Sequence, residues 1–158
     1  MVRSLKNTMV AAAATVLASI GLVTVSQAPA SAAYGCSGTL IDTYTLKTSA
    51  LEGNLTYGNI QLYYSSANSG TDCAVNVATT AGGAGHAKQM SVDIDKCDED
   101  VPGICASSTF DGDVGQYLSY AGPVQVTGTN GHCVSLEGLI SYNDRTAQLK
   151  GTGATHCR

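Results

Sequence analysis

The sequence predicts an all-β fold, either an antiparallel β-sandwich or a small barrel of seven to eight short strands stapled by disulfides. After residue 33, apolar and polar residues alternate with a period of two, which is typical of half-buried strands. Clusters of Gly, Ser, Asn and Asp interrupt these runs at short intervals, as turns do in sandwiches and barrels. Strands do not alternate with helical segments, which disfavours a parallel sheet.

The first four strands are predicted at residues 39–47, 59–65, 73–79 and 88–95. The turn cluster SANSGTD separates the second from the third, so these two strands are expected to form a hairpin. The stretch AGGAG then interrupts the pattern before the fourth strand. The alternation places these side chains together on one face of their strands: Leu40, Tyr44 and Leu46; Ile60, Leu62 and Tyr64; Cys73, Val75 and Val77; Met90, Val92 and Ile94.

The second half of the chain begins with an acidic stretch, and we expect a long irregular loop from there to Gly115. Further strands are predicted at residues 116–120, 123–127, 133–142 and 146–151. Gly138 suggests a bulge in the third of these, because an isolated glycine in a strand often marks one.

Residues 1–33 are predicted to be a secretory signal. Arg3 and Lys6 precede an uncharged apolar run, and small residues at 28–33 form a cleavage site after Ala32 or Ala33. A membrane anchor is the alternative, but the run of about 17 residues is at the lower limit for spanning a bilayer. Removing 33 of the 158 residues would leave a single β domain at 34–158, with no transmembrane span.

The charge of this domain argues against some partners. Without Arg3 and Lys6, six of the eight basic residues remain against 12 acidic ones, a net charge of −6. Binding to nucleic acid or to an anionic membrane surface requires clusters of Lys and Arg, and the sequence has none. We therefore expect no nucleic-acid partner.

The even number of cysteines in a chain predicted to be exported indicates three disulfides. A zinc site is the alternative, but no pair has the short spacing that zinc sites usually use. The sequence alone does not choose among the possible pairings. The six residues are Cys36, Cys73, Cys97, Cys105, Cys133 and Cys157.

The stretch DIDKCDEDVPGIC (residues 93–105) concentrates acidic residues between and before two cysteines. Three interpretations are open: a calcium site, a partner-binding patch, or a solvated loop. Calcium prefers flexible loops rich in carboxylates, but the EF-hand pattern fails because Cys97 occupies its fifth position and Asp98 its sixth. We favour the solvated loop and expect no metal. The candidate calcium ligands are Asp93, Asp95, Asp98, Glu99, Asp100, Asp111 and Asp113.

Signals of catalysis are weak. There is no G-x-S-x-G motif, and oxidised cysteines cannot act as nucleophiles. Glu52 and Glu137 are candidates for a pair of glycosidase carboxylates, but no arrangement singles them out. We therefore predict that the protein is not an enzyme and has no cofactor and no catalytic residue.

The histidines and tyrosines have both structural and functional interpretations. His132 and His156 each precede a cysteine, so the two rings could lie close together, whereas His86 lies in the Gly-rich loop. A Tyr-rich sheet face can bind sugars or proteins, but tyrosine also simply suits half-buried strand positions, and we favour this second reading. The tyrosines in or beside strands are Tyr57, Tyr63, Tyr64, Tyr117, Tyr120 and Tyr142.

The segment YLSYAGPVQVTGTNGHCVSLEGLIS (residues 117–141) and the hairpin NIQLYYSSANSGTDCAVNV (residues 59–77) resemble the spore-associated protein A group of small exported actinomycete proteins. The AAYGC at residues 32–36 also fits. The sequence departs from the group at Leu136–Glu137, where an aromatic residue is expected. The resemblance implies export and association with the cell or spore surface, and it implies no catalytic residues.

The same resemblance suggests how the cysteines pair. Cys97 and Cys105 look like an insertion against the group's pattern and flank Pro102–Gly103, so we predict that they bond to each other. Cys133–Cys157 and Cys36–Cys73 are then predicted because each bond would anchor one end of the domain.

Two functional hypotheses follow. The first is a non-enzymatic secreted protein of the cell or spore surface, whose partners are cell-wall or spore-surface components. The second is a secreted inhibitor or protein-binding module that uses the loop at residues 97–105.

Overall fold

The structure, a computed structural model, describes residues 33–98 and 101–157, except for the side chains of Ala33 and Ser108. Residues 1–32 of the predicted signal segment and two of the candidate calcium ligands, Glu99 and Asp100, therefore lie outside the described residues. Within them, no helix is long and apolar enough to cross a membrane.

The described residues form eight strands in two antiparallel four-stranded sheets, so the all-β sandwich prediction is confirmed and the barrel alternative is wrong. Sheet A has the order β1-β2-β3-β6, and sheet B has the order β5-β4-β7-β8. Three short 3₁₀ turns occur at Ala33–Gly35, Ala50–Glu52 and Ala67–Ser69. The strands are β1 (Thr39–Lys47), β2 (Thr56–Ser65), β3 (Thr71–Ala78), β4 (Lys88–Cys97), β5 (Ser107–Tyr117), β6 (Tyr120–Thr127), β7 (Val134–Tyr142) and β8 (Arg145–Leu149).

The core lies between the two sheets and is built from the alternating side chains. In β4, the predicted inward residues Met90, Val92 and Ile94 are fully buried. The prediction is wrong for Leu40, which is 47% exposed. A register shift between Leu40 and Asp42 changes which side chains of β1 face inward, and Ile41 packs against the core instead. A bulge of this kind reverses the face on which the preceding residues project.

The third strand is buried on both faces. The alternation of its sequence did not predict this. Ala74 belongs to the core between the sheets, whereas Cys73 and Val75 form a second cluster with Cys36 and Tyr63. Cβ atoms alternate across a strand, so this second cluster lies on the outer face of sheet A. The Cys36–Cys73 disulfide holds the N-terminal segment over that face.

Small and polar residues let the two sheets approach closely. The amide of Asn76 crosses from β3 and donates to the carbonyls of Ser91 and Leu139, at 2.8 and 3.1 Å, in the opposite sheet. A Cβ atom at Gly138 would lie 2.7 Å from Cδ1 of Ile60. The pairing of β7 with β4 runs without a shift through this glycine, so the predicted bulge is wrong and Gly138 instead allows this close packing.

The prediction of an irregular loop up to Gly115 is wrong, because residues 107–117 form the strand β5. β5 pairs with β4 almost along its whole length, from Lys88 opposite Tyr117 to Cys97 opposite Ser107. Its sequence, SSTFDGDVGQY, is rich in Gly and Asp, which strands disfavour. The predicted strand boundary in this region is also displaced, since the turn falls at residues 118–119, between β5 and β6.

The predicted disulfide pairing is confirmed: Cys36–Cys73, Cys97–Cys105 and Cys133–Cys157. The latter two pack together with Ala154 in one cluster. We call this cluster, with the loop at 97–105 and the tail at 152–157, the disulfide end of the sandwich. The lysine end, at the other terminus of β4, comprises Lys88, the loop at residues 83–87 and the turn at 118–119.

Candidate functional site

The predicted acidic residues fall into three separate places. Asp93 of β4 lies directly opposite Glu137 of β7 on the outer face of sheet B. Both line a shallow pocket of about 280 Å³ together with Lys150. Burial raises the pKa of the Asp93 carboxyl, and the neighbouring charges of Glu137, Asp95 and Asp113 raise it further. This carboxyl is therefore held next to like charge on a partly covered surface.

The second place is the edge of sheet A. Asp111 accepts a hydrogen bond from the Gln125 amide at 2.9 Å, and Asp113 accepts one from the Gly122 amide at 2.7 Å. The hydroxyl of Tyr117 also donates to Asp113, and this bond raises the pKa of that tyrosine. These carboxylates therefore satisfy backbone donors on the open edge of β6. Charged side chains that cover a strand edge are a known protection against edge-to-edge association.

The third place is the stapled loop after Cys97, where Asp98 is exposed. Among the described residues, no group of three or more His, Cys, Asp or Glu side chains is arranged to hold a metal ion. Asp111 and Asp113, two of the candidate calcium ligands, instead accept hydrogen bonds from backbone amides of β6.

The stapled loop is fastened at more than its two cysteines. The Asp98 amide donates to the Ala106 carbonyl at 2.8 Å, and the Gly103 amide donates to the Ala154 carbonyl at 3.0 Å. Val101 and Ile104 nevertheless project into solvent, with exposures of 60% and 76%. The loop therefore presents two apolar side chains from a backbone that is held by a disulfide and by the C-terminal tail.

The three histidines make different contacts. The Nε2 atom of His156 lies 3.0 Å from Oδ2 of Asp42 and 3.1 Å from the hydroxyl of Tyr44. Burial raises the pKa of Asp42, but hydrogen bonds from the Thr43 amide, His156 and Tyr44 together bring it below its ordinary value. These contacts fasten the C-terminal tail to β1.

His86 stacks on the ring of Tyr142, with the centroids 6.0 Å apart. His132 is partly buried at the start of the disulfide end.

The tyrosines divide into structural and exposed groups. Tyr57 and Tyr63 are buried, and Tyr64 donates to the Asn130 side chain at 2.6 Å, as expected for half-buried strand residues. Tyr120 is 38% exposed, and its ring centroid lies 5.0 Å from that of Tyr34. The sequence did not single out this pair, because the partners are distant in the chain.

The two glutamates considered for catalysis, Glu52 and Glu137, do not form a pair. Glu52 accepts hydrogen bonds from the backbone amide and the hydroxyl of Ser49, at 3.0 and 2.8 Å, and so caps a 3₁₀ turn. Glu137 lies in the shallow pocket opposite Asp93.

Lys88 is a feature that sequence reasoning missed. The residue is only 3% exposed, and its ammonium donates to the carbonyls of Gly83, His86 and Leu118 at 2.9, 3.0 and 2.7 Å. Burial lowers its pKa. An ammonium has three donors and no acceptor, so one buried charge joins the Gly-rich loop to the β5–β6 turn. No signal in the sequence marks this lysine, since its partners are backbone atoms.

Comparison with family models, with curated proteins and with solved structures finds no match for the chain.

Proposed function

We propose that the protein is exported and acts at the cell or spore surface by binding rather than by catalysis. The observation that carries this proposal is the placement of the three disulfides. One fastens the N-terminal segment to sheet A, one fastens the C-terminal tail, and one closes the loop at 97–105. Disulfides of this kind persist in oxidising compartments outside the cytosol.

The energetic effect of these bonds suits a small domain outside the cell. In the chain-entropy model, closing the segments between Cys36 and Cys73 and between Cys133 and Cys157 contributes about 3.5 to 4 kcal/mol each. A total stability of about 5 to 15 kcal/mol is usual for a domain. The bonds are therefore a substantial part of what keeps the terminal segments in place where no chaperone acts.

The binding role is supported by the way the reactive groups are used. Asp113 caps a strand edge, Lys88 fastens two loops, and His156 fastens the tail. All six cysteines are bonded, so none is a thiolate nucleophile. The assignment to the cell or spore surface rests on the resemblance of residues 59–77 and 117–141 to the spore-associated protein A group.

Fractionation of the host culture tests this proposal. We expect the protein on washed cells or spores, with an N-terminus at Ala33 or Tyr34 and a mass lowered by six hydrogens for the three disulfides. A protein that stays in the cytosol with Met1 intact, or that carries free thiols, would contradict it.

A second candidate function is a secreted inhibitor or protein-binding module. The observation that favours it is the stapled loop, because Val101 and Ile104 are exposed beside points that the Cys97–Cys105 disulfide and the hydrogen bonds of the Asp98 and Gly103 amides hold. A preorganised loop loses less conformational entropy on binding, and exposed apolar side chains supply the contact.

Inhibition assays against proteases secreted by the host would test this alternative. We expect the Ile104→Asp variant to lose inhibition, whereas Leu51→Asp, at a fully exposed apolar position elsewhere, keeps it. Equal inhibition by both variants, or no inhibition by the wild-type protein, would argue against the loop.

A further inference from the structure

The outer face of sheet B carries two large apolar side chains that neither functional hypothesis uses. Phe110 and Val114 of β5 are 74% and 70% exposed. Their partners across the strand are Asp95 and Ser91 of β4, which alternate with the buried core residues of that strand. Paired residues of antiparallel strands project on the same face, so Phe110 and Val114 stand on the surface that faces away from the core.

Gly112 separates these two side chains and pairs with Asp93 of β4. A Cβ atom at Gly112 would lie 2.3 Å from Oδ1 of Asp93, so the carboxylate occupies the space that a side chain at this position would fill. Alternate residues of a strand are about 7 Å apart. The carboxylate is therefore presented at the surface of β5, with an apolar side chain about 7 Å along the strand on either side. We call this arrangement of Phe110, Gly112, Val114 and Asp93 the Gly112 notch.

The charge around the notch has one sign. The charges that act on the Asp93 carboxyl are those of Glu137, Asp95 and Asp113, and all of them are acidic. Lys150 lines the pocket next to Asp93 and Glu137, but among the described residues no ion pair joins it to either carboxylate. A cationic partner would be attracted to this face, whereas a second copy of the same face would be repelled by it.

The notch fits an arginine that has apolar neighbours. A guanidinium forms charge-assisted hydrogen bonds with a carboxylate and can stack on an aromatic ring such as that of Phe110. In an extended peptide, alternate side chains project on one side with the same spacing of about 7 Å. Apolar residues two positions before and after the arginine would therefore meet Phe110 and Val114, which a cation without apolar side chains would leave uncovered.

We infer that the Gly112 notch docks an extended basic segment of a partner protein, in which one arginine binds Asp93 and its apolar neighbours cover Phe110 and Val114. The net charge of −4 of the whole chain favours such a partner, because opposite charge speeds association and selects the partner. The inference goes beyond both functional hypotheses, since neither the surface role nor the loop at 97–105 gives β5 a function.

Titration of the oxidised, ¹⁵N-labelled protein with a short peptide, followed by NMR, tests the inference. The probe is acetyl-Leu-Ser-Arg-Ser-Leu-amide, whose side-chain order is the same in both directions. In the control peptide, citrulline replaces arginine and removes the charge while keeping the shape. We expect the arginine peptide to bind with a Kd of about 1 mM and to shift the amide signals of Gly112 and Val114. The citrulline peptide should bind at least about tenfold more weakly.

Variants in the notch make the test specific. Gly112→Ala keeps both the charge and the ring but places a methyl group where the carboxylate lies, and it should weaken binding by about tenfold. Asp93→Asn should have an effect of the same size, and Phe110→Ala should weaken binding by about fivefold. Asp144→Asn and Leu40→Ala, at exposed positions outside the notch, are the matched controls and should bind like the wild-type protein. Thermal melting of each variant confirms that the fold is retained.

The inference is overturned if the arginine peptide does not bind at about 10 mM, if the citrulline peptide binds as tightly, or if Asp93→Asn and Phe110→Ala both bind like the wild-type protein. Signal shifts confined to residues outside β4 and β5 would overturn it as well. Spermine, a cation without apolar side chains, is the last comparison. Spermine binding as tight as that of the peptide would mean that charge alone accounts for the affinity, and the docking of an arginine with apolar neighbours would then be wrong.

Discussion

The two ends of β4 are fastened by different chemistry. At the disulfide end, Cys97–Cys105 and Cys133–Cys157 join a loop and a tail to the sheets by covalent bonds. At the lysine end, about 30 Å away along the strand, one ammonium joins the Gly-rich loop to the β5–β6 turn by hydrogen bonds. A disulfide acts mainly by restricting the unfolded chain, whereas Lys88 stabilises only the folded one.

This difference predicts that the two ends respond independently to perturbation. Reduction should weaken the disulfide end and leave the lysine end in place. Loss of the ammonium should do the reverse, because the contacts of one end share no residue with those of the other. Additivity is expected for sites so far apart.

The largest effect is expected from Cys133→Ser combined with Cys157→Ser. Removing this bond should lower the free energy of unfolding by about 3.5 kcal/mol, measured by urea unfolding. Hydrogen exchange should become faster at the Val134 amide, which pairs with Thr155 of the tail. Exchange at the Gly85 amide, which donates to the Leu118 carbonyl, should show only the global loss of stability. Additional opening at Gly85 would mean that the two ends are coupled.

The next largest effect is expected from Lys88→Met. The variant leaves the carbonyls of Gly83, His86 and Leu118 without their charged donor, which should cost about 3 kcal/mol. In this variant, hydrogen exchange at the Gly85 amide should become faster through local opening, while the Val134 amide remains protected. Lys47→Met, at an exposed position, is the matched control and should change stability by less than about 0.5 kcal/mol. A similarly small loss for Lys88→Met would show that water replaces the ammonium.

A smaller effect of opposite sign is expected midway along β4. Asp93→Asn removes a like-charge contact with Glu137 and should raise stability at pH 7 by about 0.5 kcal/mol. The pKa of Asp93 is raised in the folded protein, so its favourable contribution exists at low pH and is lost as pH rises through the folded pKa. The gain from Asn should therefore fade on acidification to about pH 4.

Urea titrations of the Asp93→Asn variant at several pH values measure this change. Asp144→Asn, at an exposed position, provides the surface control measured in parallel. A gain for Asp93→Asn that grows on acidification would refute the assigned direction of the pKa shift.

The smallest effect is expected at the contact between the tail and β1. The pKa of Asp42 is lowered in the folded protein, so its contribution is present above the ordinary value of 3.8 and is lost as pH falls through the folded pKa. Because this carboxyl is well exposed, Asp42→Asn should cost less than about 0.5 kcal/mol at pH 5. The cost should disappear near pH 2, and a cost that persists there would point to packing rather than charge.

Several parts of the fold follow from local pattern alone. Period-two alternation predicted the inward side chains of β4, because burial between two sheets selects one face of a strand. The hairpin of β2 and β3 was predicted from its turn cluster. Both features depend on residues that are close in sequence. The disulfide pairing, by contrast, was suggested by the resemblance of residues 59–77 and 117–141 to the spore-associated protein A group, against which Cys97 and Cys105 look like an insertion.

The errors arise where a residue is used against its local preference. Most of β5 was predicted as an irregular loop after the acidic stretch, and Gly and Asp do disfavour strands, yet its glycines and carboxylates serve the packing. A Cβ at Gly112 would come within 2.3 Å of the Asp93 side chain, and Asp113 accepts from a backbone amide of β6. The pairing of β5 with β4 and its hydrogen bonds to the edge strand β6 outweigh the low strand propensity of Gly and Asp.

The sequence by itself determined the class of fold, the strands with clean alternation and the expectation of three disulfides. Only the tertiary structure decided what Lys88, Asp111, Asp113 and the Tyr34–Tyr120 pair do. The physical reason is that their partners are either backbone atoms or side chains far along the chain. Backbone carbonyls and amides occur at almost every position, so no sequence pattern shows which of them will converge on one charge.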